Sequence, residues 1–171
     1  MALNRIKSIM FLLASLGCGP ETTGDFPDFK ECTLPETQQF SLGTGANEFV
    51  PISEDGSVQL VAGFQGGYHI HASVDLPDLA SRRVRLLVNL CQNGTVIARG
   101  RDWVDDNGQR PGFQTSGLYV YVLHDYFPAN IAQVESAMVA LVITADGTEY
   151  RAGSKVSPAC CVNLLNGEQP D

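Results

Sequence analysis

The stretch from Val58 to Leu76 constrains the fold of this chain more than any other part of the sequence. Two runs of β-forming residues flank the glycine-rich segment 63–67, which predicts two strands joined by a tight connection. In the second run, the apolar residues Tyr68, Ile70, Ala72 and Val74 alternate with the polar residues His69, His71, Ser73 and Asp75. Alternation places one side of a strand against the core and the other side away from it. We therefore predict that both histidines point away from the core.

The rest of the chain repeats this alternating pattern, which predicts an all-β domain. Turn signals separate the candidate strands at intervals of about 8 to 12 residues, which indicates an antiparallel β-sandwich of two sheets. The candidate strands cover residues 38–42, 48–52, 58–62, 68–76, 83–90, 95–101, 118–126, 137–144 and 148–156. Segment 128–136 has room for one helical turn. Segment 102–116 is the longest stretch without strand character and is the predicted functional loop, with an inert connection as the alternative.

Length, charge and missing motifs limit what such a domain does. The 171 residues are 44% apolar, which suits one domain with a substantial core. The formal net charge of −8 disfavours a surface that binds nucleic acid or an anionic membrane. The sequence contains no G-x-S-x-G elbow, H-E-x-x-H motif, P-loop or dinucleotide fingerprint. We predict that the protein is not an enzyme and uses no cofactor.

The first 18 residues have the pattern of an export signal. Arg5 and Lys7 precede an apolar run over residues 9–16, which predicts a signal peptide over 1–17. The run is too short for a helix that crosses about 30 Å of hydrocarbon. Residues 15–18 resemble the lipobox of bacterial lipoproteins, which implies that Cys18 is diacylated and becomes the new N-terminus. In that family, Gly19 after the cysteine implies export to the outer membrane. An ordinary signal cut nearby is the alternative.

Residues 18–31 are rich in Pro, Gly, Thr and acidic residues, which predicts a flexible tether before a domain over 32–165 and a tail over 166–171. With Cys18 lipidated, an even number of cysteines remains in an exported chain, which implies disulfides. These cysteines are Cys32, Cys91, Cys160 and Cys161. A bond between the neighbours Cys160 and Cys161 closes a strained eight-membered ring, so we expect each of them to bond to Cys32 or Cys91. A thiolate metal site is the disfavoured alternative.

The dipeptide Asn93-Gly94 predicts a hairpin whose register is open to two solutions. A two-residue type I′ turn pairs Val88 with Arg99 and places arginines in the core. A three-residue loop with a bulge at Gly94 pairs Val88 with Ala98 and keeps them out. We predict the bulged hairpin.

Histidines, arginines and aromatic residues supply the candidate ligand-binding groups. His69 and His71 could both reach one metal ion, but two ligands are too few, and His124 shares the parity of core valines in its own predicted strand. We therefore predict no metal site. A set of arginines could bind an anionic glycan or lipid head group, or form a self-neutralised outer face. These are Arg82, Arg83, Arg85, Arg99 and Arg101. A set of aromatic residues could stack on a sugar, or simply pack. These are Trp103, Tyr119, Tyr121 and Tyr126.

The lipobox, the tether and the G-x-Q-G-G-x-H segment over 63–69 together resemble uncharacterised small lipoproteins of Gram-negative bacteria. The resemblance implies one immunoglobulin-like β-sandwich and no particular activity. We expect a lipid-anchored outer-membrane module that acts as a binding or structural surface. Its expected partners are the bilayer, through acylated Cys18, and another envelope protein or a glycan, but not nucleic acid. The alternatives are a periplasmic metal-binding protein that uses His69 and His71, and a hydrolase with an unrecognised site.

Overall fold

The computed structural model describes residues 26–53, 56–63, 66–108 and 111–163. The strands are β1 Ser41–Thr44, β2 Val50–Pro51, β3 Ser57–Ala62, β4 Tyr68–Leu76, β5 Arg83–Gln92, β6 Thr95–Asp105, β7 Phe113–Val122, β8 Ser136–Ile143 and β9 Glu149–Asn163, and one short helix, α1, spans Pro128–Ile131. The all-β prediction is confirmed. Over the described residues, no helix is long and apolar enough to cross a membrane. The predicted signal peptide, Cys18 and the tail over 166–171 lie outside these residues.

Seven strands close into a barrel of mixed strand order. Around the barrel the order is β4-β3-β9-β8-β5-β6-β7, and β7 pairs again with β4. The β3–β9 pair is parallel, and the other neighbours are antiparallel. β1 and β2 extend the sheet outside this ring, beside β4. The closed order differs from the two separate sheets of the predicted immunoglobulin-like sandwich.

Strand β4 accounts for this difference. The predicted β3–β4 hairpin exists, but its pairing covers only Val61 with His69 and Ala62 with Tyr68. Along the rest of its length, β4 pairs with β7 from His69 through Leu76. In a sandwich β4 would have remained in one sheet and β7 in the other. The hydrogen bonds between them instead join the two edges of the sheet.

Apolar side chains of alternate residues fill the inside of the barrel. The fully buried ones include Leu60, Ile70, Val74, Val84, Leu86, Val88, Leu90, Ile97, Phe113, Val120 and Met138. Burying a side chain of this size contributes about 1.5–3 kcal/mol to folding. The inward residues of β4 are those predicted from the alternation, so His69, Ser73 and their neighbours of the same parity lie on the outer side.

A β-bulge in β7 decides which face its tyrosines occupy. Ala72 pairs with Leu118 and Val74 pairs with Thr115, so one residue of β4 stands opposite the two residues Ser116 and Gly117. A bulge of this kind shifts the following residues to the opposite face. Phe113 and Thr115 are buried before the bulge, and Leu118 and Val120 are buried after it. Without the extra residue, Tyr119 would stand opposite Ile70 and face the core.

Gly117 permits the bulge. Its φ is +77°, and a Cβ at this position would lie 2.4 Å from the Ala46 carbonyl oxygen. Its N–H donates to the Gly45 carbonyl oxygen at 3.0 Å. A residue with a side chain would therefore meet both the left-handed backbone penalty and a backbone clash.

The hairpin between β5 and β6 corrects the predicted register. Asn93 and Gly94 have φ values of 50° and 75°, as in a two-residue type I′ turn. The extra residue lies further along, at Ile97, because Cys91 pairs with Val96 while Leu90 pairs with Ala98. The pairing of Val88 with Ala98 is therefore wrong, and Val88 stands opposite Gly100. The bulge serves the predicted purpose at a different place, since it keeps Arg99 and Arg101 out of the core.

The segment that precedes β1 packs on the outside of β5 and β8. Phe29 is buried there in a second apolar cluster with Leu87, Val139, Leu141 and Ile143. The buried Asn89 amide donates to the carbonyl oxygens of Phe29 and Glu31 at 3.1 and 3.2 Å. Residues 26–31, which the sequence places in a flexible tether, are thus docked on the barrel.

The cysteines pair differently from the prediction. Cys32 bonds to Cys91, with a Cα–Cα distance of 5.6 Å, and fixes the docked segment to β5. In the chain-entropy account, a loop of this size contributes about 4 kcal/mol. Cys160 bonds to its neighbour Cys161, so the expectation of distant partners is wrong. Since Cys32 and Cys91 bond to each other, neither is left for Cys160 or Cys161. These two stand in β9 opposite the single residue Leu60, where the β3–β9 register shifts.

The predicted functional loop over 102–116 is mostly strand. β6 continues to Asp105 and β7 begins at Phe113. Cross-strand partners explain the extension, because Leu86 pairs with Asp102 and Arg83 pairs with Asp105. The Gln114 N–H donates to an Asp106 carboxylate oxygen at 3.2 Å, which ties the remaining connection to β7.

We predict that Gly117→Ala lowers the free energy of unfolding by more than about 2 kcal/mol, because left-handed strain and the clash with Ala46 act together. Gly67→Ala is the matched control: φ is +83° there, and no heavy atom beyond the adjacent residues lies within 4 Å of the position that a Cβ would take. It should cost about 1 kcal/mol, from backbone strain alone. Urea unfolding of both variants measures the difference. Equal losses would show that the close approach at Gly117 does not matter.

Candidate functional site

The outer sides of β4 and β7 bring four aromatic rings together. His69 pairs with Tyr121 and His71 pairs with Tyr119 across the two strands. The histidines face outward because their parity is opposite to that of Ile70, and the tyrosines do so because of the bulge at Gly117. We call His69, His71, Tyr119 and Tyr121 the His–Tyr face.

The two tyrosines lie over the two histidines. The Tyr119 and Tyr121 rings are parallel to within 15°, with centroids 5.8 Å apart. The Tyr119 ring centroid is 4.7 Å from that of His69 and 4.9 Å from that of His71. Tyr119 and Tyr121 are 47% and 58% exposed, whereas His69 is only 4% exposed. The face therefore presents phenol rings to solvent and holds imidazoles beneath them.

Both imidazoles hold a buried nitrogen without a partner. His69 Nε2 and His71 Nδ1 make no hydrogen bond with the part of the chain that the structure describes. Leaving a buried polar atom unpaired costs about 1–3 kcal/mol, and native structures contain few such atoms. The backbone nearby is satisfied: the Thr44 hydroxyl donates to the His71 carbonyl oxygen at 2.9 Å. The unpaired atoms at these two residues therefore belong to their side chains.

The surroundings of both histidines favour the neutral state of the imidazole. Burial lowers the pKa of His69, and the nearby His71 lowers it further. Burial also lowers the pKa of His71. A neutral imidazole carries one donor and one acceptor, so each ring retains hydrogen-bonding capacity beneath the tyrosines.

The arginines predicted as an anion-binding set are divided by the structure. Arg83 and Arg85 lie 5.5 and 5.6 Å from the centroid of Trp103, and Arg101 lies 5.9 Å from that of Phe26. Arg82 forms an ion pair with Asp106. Arg99 alone of the set is paired with the His–Tyr face, because it stands opposite Tyr121.

The predicted aromatic set also separates. Tyr119 and Tyr121 are exposed together, Trp103 lies among arginines, and Tyr126 packs against the core. The sequence contains a signal for the exposure of Tyr119 and Tyr121, but an alternation that is assumed to continue unbroken along the strand does not show it. The inward positions are odd-numbered at Phe113 and Thr115 and even-numbered at Leu118 and Val120, and a glycine stands between them.

His124 does not join His69 and His71, although the reason differs from the one predicted. It is exposed, in a turn beyond the end of β7, and its Nε2 lies 3.0 Å from an Asp125 carboxylate oxygen. The expectation that it faces the core is wrong because the strand ends at Val122. No group of three or more His, Cys, Asp or Glu residues placed to hold a metal occurs among the described residues.

We predict that the pKa values of His69 and His71 both lie below the ordinary value of about 6.5. As pH falls below about 6.5, the unfolded chain takes up these protons before the folded one does. The stability contribution is therefore complete above about pH 6.5 and declines as pH falls towards the folded pKa values. Imidazole proton shifts in an NMR titration measure both values. His69→Gln with His71→Gln should lose less stability between pH 7 and 5.5, and a pKa at or above 6.5 for either ring would contradict the prediction.

Compared with protein-family models, curated proteins and solved structures, the chain shows no match. The functional assignment therefore depends on the side chains of the His–Tyr face and their neighbours.

Proposed function

We propose that the protein is a lipid-anchored module of the outer membrane that binds a saccharide of the cell envelope through the His–Tyr face. The observation that carries this proposal is the pair of exposed, parallel tyrosine rings, which contact the buried His69 ring and the half-buried His71 ring. Rigid aromatic side chains with a polar tip supply large contact area at a small entropic cost. A sugar presents an apolar C–H face and a rim of hydroxyls, which matches rings that carry phenol groups at their edges.

The rigidity of the face supports binding rather than packing within the chain. Exposed tyrosines on a solvent-facing strand are free to move unless something holds them. Here His69 contacts both tyrosine rings, and His71 contacts Tyr119. Preorganised rings lose little further freedom when a ligand stacks on them. The unpaired imidazole nitrogens lower the stability of the fold. A role of the histidines in holding the tyrosine rings in place would explain why this cost is retained.

The anchor places this face within reach of the envelope. The eight-residue span from Cys18 to Phe26 extends at most about 28 Å. Phe26 contacts Trp103 at 6.4 Å between ring centroids and lies beneath Arg101, one strand away from β7. A lipid on Cys18 would therefore hold the barrel close to the membrane surface, where envelope glycans are abundant.

The two alternatives from the sequence each require a group near the histidines. Over the described residues, no serine, threonine or cysteine side chain is hydrogen bonded to an imidazole, so a hydrolase would lack an activated nucleophile. A zinc site requires three or four protein ligands, and His69 and His71 supply two. Binding through exposed aromatic rings needs no additional group.

We predict that Cys18→Ser abolishes metabolic labelling with a fatty acid and releases the protein from membranes, because the sulfur is the acylation site. Cys160→Ser, which removes a cysteine far from the lipobox, is the control and should remain labelled. Labelling that persists in Cys18→Ser would disprove the anchor. The saccharide-binding part of the proposal would be unaffected by that result.

We predict that Tyr121→Ala reduces binding to envelope polysaccharides by about fivefold or more, since each stacked ring contributes on the order of 1 kcal/mol or more. Phe127→Ala is the matched control, because Phe127 is 66% exposed and lies outside the face. Affinity electrophoresis in gels that contain each polysaccharide fraction measures retardation of both variants. Equal retardation of Tyr121→Ala and the parent protein would exclude the His–Tyr face as the binding site.

A further inference from the structure

We infer that the saccharide bound by this protein is acidic and that Arg99 contacts its carboxylate. The inference rests on the proposed saccharide binding and adds a ligand class to it. Its basis is a row of paired residues that runs across neighbouring strands and places Arg99 opposite the exposed Tyr121.

The row is defined by strand register. Asn89 of β5 pairs with Arg99 of β6, Arg99 pairs with Tyr121 of β7, and Tyr121 pairs with His69 of β4. All four residues share the outer side of the barrel. Neighbouring strands are about 4.8 Å apart, so the guanidinium side chain starts about one strand spacing from the tyrosine. This separation is comparable to the width of one pyranose ring, so a sugar stacked on Tyr121 brings its substituents to Arg99.

Asn89 orients Arg99. The Asn89 side-chain nitrogen donates to the Phe29 and Glu31 carbonyl oxygens, which fixes the direction of its amide. The Asn89 oxygen then accepts from Arg99 Nε at 3.3 Å. A guanidinium held through Nε keeps its terminal nitrogens as donors for a carboxylate. Asn89 is fully buried, so it cannot itself meet a ligand and acts as a positioning residue.

Arg99 forms no direct ion pair with a carboxylate among the residues that the structure describes. Its hydrogen bond goes to a neutral amide, whereas Arg82 and Arg83 have carboxylate partners in Asp106 and Asp105. The charge of Arg99 acts on one acid, Asp28, whose carboxylate is paired with Lys30 at 2.5 Å. The lowered pKa of Asp28 comes first from that bond to Lys30 and only then from the charges of Arg99 and Arg101.

The negative net charge of the protein opposes the binding of an acidic saccharide at long range. A net charge of −8 repels a polyanion at long range, so attraction must come from direct contact with Arg99 and the rings. Contact of this kind requires the sugar to stack and to present its carboxylate at the same time. Neutral polysaccharides lack the carboxylate, and unbranched polyanions without a sugar ring cannot stack.

The test uses matched acidic and neutral ligands with the full mature protein. Oligosaccharides of galacturonate, guluronate and hyaluronan are compared with their carboxyl-reduced counterparts by calorimetric titration at about 0.15 M salt. We expect every acidic ligand that binds to do so at least about tenfold more tightly than its reduced counterpart. A difference of this size is what one charge-assisted hydrogen bond contributes. Arg99→Gln should remove this preference, so that the acidic and the reduced ligand bind equally. Arg82→Gln removes the same charge outside the face and should keep the preference.

Further variants separate a binding role from a structural one. Arg99→Lys keeps the charge but not the fork of donors, so it should retain an intermediate preference. If Arg99→Gln unfolds, Arg99→Lys decides the question. An unchanged preference for the acidic ligand in Arg99→Lys would show that the carboxylate is not recognised by the paired donors of the guanidinium. Equal binding of acidic and reduced ligands, lost in Tyr121→Ala, would overturn the role of Arg99 and support the proposed function. No binding of any ligand in the panel would overturn both.

Discussion

Closure of the sheet through the β4–β7 pairing is the constraint on which the rest of the structure depends. β4 carries a core face of Ile70, Ala72 and Val74 and an outer face of histidines, and its partner must match both faces along its length. β7 does so only because two residues at Ser116 and Gly117 stand opposite one. The conformational freedom of a single glycine thus gives the barrel a continuous core and moves Tyr119 and Tyr121 to the surface.

The face produced in this way carries a cost that the barrel interior compensates. Two buried imidazole nitrogens without partners cost a few kcal/mol together. The interior contains many fully buried aliphatic side chains, each contributing about 1.5–3 kcal/mol. Stability is therefore supplied by the inside of the barrel, and the outside can keep buried polar atoms without hydrogen-bond partners. Local violations of packing rules of this kind are common at functional sites.

The docked N-terminal segment links the predicted anchor to this face. Cys32–Cys91 and the Asn89 hydrogen bonds hold residues 26–32 against β5, and the same Asn89 orients Arg99. Loss of the disulfide would consequently loosen both the covering of the second apolar cluster and the position of the guanidinium. One buried amide therefore connects the attachment of the segment to the geometry beside Tyr121.

The sequence by itself determined the local features: the approximate positions of the strands, the outward direction of His69 and His71, and the exclusion of Arg99 and Arg101 from the core. These follow from side-chain alternation with a period of two, which acts within one strand. Tertiary structure alone decided the closure of the barrel, the partners of the cysteines and the meeting of Tyr121 with His69 and Arg99. The physical reason is that each depends on pairing between residues far apart in the chain. One extra residue at Gly117 or Ile97 changes such pairing, and alternation within a single strand does not identify the residue that stands opposite on the neighbouring strand.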